Sequence, residues 1–106
     1  MLHHILVKWN DQAADKAEMA ARAAEAFADA IAIPGVTRCD IIPSCSTRAN
    51  RYDLMIRMEM TPEALELYDV SPMHKAWKEN FTKYMEKKAI FDSESFPESF
   101  PESFLA

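Results

Sequence analysis

The chain has one glycine and two cysteines in 106 residues, no excess of base over acid, and no long apolar run. Each scarcity excludes something. With Gly35 alone, only one turn has free access to positive φ. Cys39 and Cys45 show no CxxC spacing and no clustered third ligand, so zinc has no support. If 36–43 is a strand, the two thiols lie up to ~20 Å apart. A disulfide needs Cα atoms within about 7 Å, so both are read as free. The net charge is −5, and residues 1–91 hold 13 acids against 12 bases. Nucleic acid therefore finds no basic field here. No apolar stretch approaches the roughly 18 residues that cross a bilayer. Leu2 to Trp9 is too short and too polar for a signal peptide. The expectation is one cytoplasmic domain with no membrane partner.

What is present is an alternation of strand and helix patterns. Residues 2–9 read as a strand, with His3, Ile5, Val7 and Trp9 on one face and Leu2, His4, Leu6 and Lys8 on the other. Both faces carry apolar groups, so both need cover. Asn10-Asp11 offers an N-cap to an alanine-rich helix over 12–32, with a predicted stripe of Ala17, Ala20, Ala24, Phe27 and Ile31. Ile33-Pro34-Gly35 ends it. Residues 36–43 and 52–60 read as strands, the second with Leu54, Ile56, Met58 and Met60 on one face and Asp53, Arg57 and Glu59 on the other. Thr61-Pro62 starts a helix that runs to about Tyr68.

The stretch Tyr68-Asp69-Val70-Ser71-Pro72-Met73-His74 organises the rest. Proline pushes Ser71 out of the α region, and Pro72 itself suits the first turn of a new helix. Ser71 is then the N-cap. Tyr68 closes one helix and His74 lies in the opening turn of the next, so the two rings converge at a corner. On one continuous helix, a separation of six would put them on roughly opposite faces. The next helix is predicted to about Lys87, with a short last strand over 89–91. The order is β-α-β-β-α-β, a ferredoxin-like α+β domain with a four-stranded antiparallel sheet. One sheet face takes the helices; the other predicts a homodimer. Beyond residue 92 lies an acidic tail in which Ser-Phe-Pro-Glu repeats, spacing Phe96, Phe100 and Phe104 four apart. Pro97 and Pro101 exclude a helix there, and the phenylalanines suggest docking on a surface.

The His-Ile-Leu-Val-Lys strand, the Ile33-Pro34-Gly35-Val36 turn, Tyr52-Asp53-Leu54, the Tyr68…Pro72-x-His74 corner and Ile90-Phe91-Asp92 together resemble the stress-responsive α/β-barrel, or Dabb, family over residues 1–92. The resemblance implies a dimeric α+β barrel of two ferredoxin-like units. It also implies a pocket between helices and sheet, lined by Ile5, Val7, Ile56, Trp77, Met85 and Ile90. A plant cyclase of the family closes a linear polyketide without cofactor, by aldol condensation. Its catalytic tyrosine and histidine match Tyr68 and His74, and its strand-one histidine matches His3. Ser71 and Leu54 stand where that enzyme has further histidines.

In chemical terms His74 is a candidate general base and Tyr68 a hydrogen-bond donor to a developing oxyanion. No metal or cofactor is needed for that scheme. His3 and His4, adjacent on a strand, point to opposite faces and cannot chelate one ion. Trp77, Phe81 and Tyr84 read first as core, with Trp77 a possible wall for a flat aromatic ligand. Three readings follow: a cofactor-free cyclase or isomerase acting on a carbonyl compound, a non-catalytic stress or assembly protein, and a cofactor-free monooxygenase.

Overall fold

The computed structural model describes residues 1–94, and the expected Phe/Pro tail lies outside them. Four strands form one antiparallel sheet: β1 (Leu2–Trp9), β2 (Val36–Pro43), β3 (Leu54–Met60) and β4 (Met85–Ser93). Their order across the sheet is β2-β3-β1-β4. The helices are α1 (Lys16–Ala26), α2 (Pro62–Asp69) and α3 (Pro72–Phe81). This is the ferredoxin-like arrangement, with the second helix broken in two at Ser71-Pro72.

Pairing across β1 fixes which side chains share a face. Val7 stands opposite Leu54 and Lys88, Ile5 opposite Ile56 and Ile90, and His3 opposite Met58 and Asp92. Paired residues project to the same side of a sheet, so these rows form the face beneath the helices. Ile5, Val7, Leu54, Ile56 and Met58 are buried there against Met19, Ala23, Phe27 and Trp77. On the opposite face no helix among the described residues covers His4, Leu6, Met55, Ile42 and Phe91, and Phe91 is 63% exposed.

Three expectations need correction. The first helix starts later, because Asn10 caps a turn through Gln12 N–H (2.9 Å) while Asp15 accepts from Glu18 N–H (2.8 Å) as the true N-cap. It also ends earlier, at Ala26, so Met19 and Ala23 are buried on the helix and Phe27 and Ala30 in the turns beyond it, while Ala17 and Ala24 face solvent and Ile31 is 62% exposed. Alanines give every helix face similar hydrophobicity, so the two bulky residues, Met19 and Phe27, set the phase.

The last strand is much longer than 89–91. The Thr82 hydroxyl bonds the Lys78 carbonyl (2.6 Å), a short 3₁₀ turn follows over Thr82–Tyr84, and Asn10 grips that turn through Tyr84 and Lys83 carbonyls. From Met85 onward, the ladder with β1 overrides the helix propensity of Glu-Lys-Lys. Lys87 and Lys88 are therefore strand residues. Finally, Asp53 does not point outward with Arg57. It precedes β3 and turns inward, accepting from Trp9 N–H (2.8 Å) and pairing with Lys16 (3.0 Å).

Gly35 sits where this frame closes. Its φ is +91°, and its carbonyl accepts from Thr61 N–H (3.0 Å) at the start of α2. A Cβ there would stand 2.5 Å from Thr61 Oγ1, so α2 can approach only a glycine.

Candidate functional site

The corner between α2 and α3 forms as its residue types dictate. Ser71 is extended (φ −70°, ψ 148°); its hydroxyl donates to the Tyr68 carbonyl (2.7 Å) and accepts from His74 N–H (3.1 Å). One side chain thus joins the end of α2 to the opening turn of α3. The Tyr68 and His74 rings come to 4.4 Å between centroids at 43°.

His74 Nδ1 lies 3.0 Å from the Asp69 carbonyl. A carbonyl only accepts, so Nδ1 carries the hydrogen and Nε2 of the neutral ring keeps its lone pair. Tyr68 is 1% exposed. Its hydroxyl is the buried side-chain polar atom that lacks a hydrogen-bond partner among the described residues. Burial, and secondarily the charges of Asp69 and Cys39, pushes the phenol pKa well above its ordinary value. Tyr68 therefore stays an O–H donor.

His3 reaches the same place from β1. It meets Tyr68 edge-on, with centroids 5.6 Å apart, and its Nδ1 lies 2.5 Å from Asp92 Oδ1 on the neighbouring strand. An ionised carboxylate accepts only, so this contact too assigns the hydrogen to Nδ1. His4, by contrast, turns to the outer face, where its Nδ1 meets the Phe91 carbonyl (3.0 Å). Among the described residues no three His, Cys, Asp or Glu side chains are grouped to hold a metal.

Around these rings lies a cavity of about 310 Å³. His3, Tyr68 and His74 all line it, with Ile5, Trp77 and Ile90 as apolar wall. Val7 and Ile56, expected on the wall, are fully buried in the core instead. Met85 is absent from it as well, since it begins β4 opposite Trp9 rather than continuing a helix. The sequence reading missed Leu65, Asp69, Lys78, Lys88 and Asp92, which complete the lining. Three of these carried a signal. Lys88 and Asp92 share strand parity with Ile90, and Lys78 follows His74 by one helical turn.

No family model matches the sequence, and neither does any curated protein. Solved structures do match. A dimeric protein of unknown function with a ferredoxin-like fold from Bacteroides fragilis is 18% identical, with TM-score 0.73 over 88% of this chain and 93% of that one. A Dabb family protein from Mesorhizobium loti is 18% identical, with TM-score 0.66 over 91% and 96%. A hydroxynitrile lyase from Passiflora edulis is 13% identical, with TM-score 0.66 over 91% and 95%. Among the described residues no helix is long and apolar enough to cross a membrane. The chain has the ferredoxin-like fold found in a Dabb family protein and in proteins described as dimeric.

Proposed function

We propose that the protein binds a small carbonyl-bearing or aromatic molecule in this cavity and moves a proton on it with its own side chains. The observation that carries the reading is the buried Tyr68 hydroxyl, which finds no partner among the described residues, on a ring flanked by two imidazoles whose Nδ1 atoms are already committed. Leaving such a donor unmade costs on the order of 1–3 kcal/mol, and a ligand oxygen would recover it.

In this reading His74 Nε2 takes a proton from the carbon α to a carbonyl, and the Tyr68 O–H donates to the enolate oxygen that forms. Returning the proton to a different carbon completes an isomerisation. Attack of the enolate carbon on a second carbonyl of the same molecule closes a ring. The proton that His74 took then returns to the product alkoxide, and His3, held by Asp92, is the second imidazole at this end of the cavity. The fold is compatible with such chemistry, since one of the similar structures is a hydroxynitrile lyase. A second copy of the chain covers the outer sheet face, where Phe91 and Ile42 stand exposed. That exposed face also favours a rival reading, an assembly protein whose corner only packs.

The test is deuterium uptake from D₂O at the α-carbon of a panel of aryl alkyl ketones, followed by NMR. Wild type should accelerate uptake for some member, and His74→Gln should reduce that acceleration by about 10²–10⁴-fold. Uptake at the buffer rate throughout, or equal rates in the variant, leaves the assembly reading standing.

A further inference from the structure

The charged residues of the cavity are sorted by end. Asp69 and Asp92 lie with the rings: the first through its carbonyl on His74, the second through its carboxylate on His3. Lys78 and Lys88 lie further along. Lys78 is one turn beyond His74 on the same face of α3, and Lys88 stands opposite Val7 while Asp92 stands opposite His3. Helix α3 runs the same way as β1, since His74 and Tyr68 sit over the His3 end and Phe81 over the Trp9 end, with ring centroids 6.3 Å apart. Lys78 and Lys88, one from each wall, therefore share the end of the cavity away from the histidines. Among the described residues neither has an ion-pair partner.

Between the two ends the wall is Ile5, Ile90 and Trp77. His3 and Val7 are four residues apart on β1, about 13 Å along the strand. We infer that the ligand is an apolar carboxylic acid of medium chain length, its carboxylate between Lys78 and Lys88 and its other end against Tyr68 and His74. This rests on the proposed function, of which it names the substrate class. Two ammonium groups over an apolar floor recognise an anion, and the alternative source of one is the phosphate of a carrier attached to an acyl chain.

The probes are octanoate, octanamide and octyl phosphate, titrated calorimetrically against the full chain at low salt. Octanoate should bind at least tenfold more tightly than octanamide. In Lys78→Gln/Lys88→Gln the octanoate-to-octanamide ratio should fall to near one, and added salt should erode it in wild type. Equal binding of the two in wild type, an unchanged ratio in the double variant, or no binding of octanoate would overturn the inference. Tenfold preference for octyl phosphate would overturn it in favour of a carrier phosphate. Ketone exchange reports separately. Its absence with the octanoate preference intact would remove the proton-transfer reading and leave the anion site.

Discussion

Replacing Tyr68 by phenylalanine should stabilise the fold while disabling the site. The substitution removes one atom and keeps the ring, which packs against His3, His74 and Phe27. The lost atom is a buried hydroxyl that no described residue satisfies. Burying such a group unpaired costs about 1–3 kcal/mol, so the variant should gain up to that amount. At about 4–8 °C per kcal/mol for a domain of this size, the gain is easily seen in a thermal melt. Urea melts at pH 7 should show a higher midpoint with unchanged slope. Ketone exchange in the same variant should fall by about 10²–10³-fold, the usual cost of deleting one oxyanion donor. Alkaline pH adds a second signature. The unfolded phenol loses its proton near pH 10, its ordinary value, while the folded phenol holds it longer. Above pH 10 the unfolded state therefore binds fewer protons, and wild-type stability falls as pH rises. Phenylalanine has no such proton, so its advantage should widen above pH 10. Destabilisation by more than about 1 kcal/mol would refute the reasoning, because it would mean that the hydroxyl already has a partner in the folded protein.

Gly35→Ala should cost at least about 1–3 kcal/mol, from a φ of +91° and a Cβ pressed on Thr61, and an unchanged melting temperature would exclude that turn geometry. Asp53→Ala should cost about 1.5–3 kcal/mol, since it strands the Trp9 N–H and Lys16; Asp53→Asn, which keeps an acceptor, should recover part of that. Equal urea midpoints for Asp53→Ala and wild type would show that neither bond matters. Burial, with help from Asp40, raises the Cys39 thiol from 9.0 to about 11. Its contribution is whole below pH 9 and lost as pH rises through about 11, so Cys39→Ala should flatten that part of the alkaline stability profile. A profile of unchanged slope would argue against the burial.

The fold was legible because its strongest signals are local. Alternation in residues 2–9 and 54–60 placed β1 and β3, and two proline-led N-caps placed α2 and α3. The corner was legible for the same reason, since Ser71, Pro72 and His74 make it without outside help. What failed depended on distant partners. Residues 82–88 have a helical composition, and only pairing with β1 makes most of them strand. With a last strand predicted only over 89–91, nothing local in the sequence sets Lys88 beside Val7 or Asp92 beside His3. The inward turn of Asp53 is hidden for a similar reason: its partners, Trp9 and Lys16, are 44 and 37 positions away in sequence.

The edge position of β4 connects these features. An edge strand has one neighbour, and the helix layer above it is broken at Pro72, so the inner face of β4 is left partly open. Ile90 is 50% exposed on that face although its strand partner Ile5 is buried. The cavity lining thus brings together a half-wet isoleucine, the tyrosine whose buried hydroxyl has no partner among the described residues, and two exposed lysines that pair with no described carboxylate. Packing alone gives no reason to keep them together, because a phenylalanine at 68 would remove the orphaned donor at no cost in volume. The proposed ligand, with an apolar body, a carbonyl oxygen at one end and a carboxylate at the other, would engage all three at once.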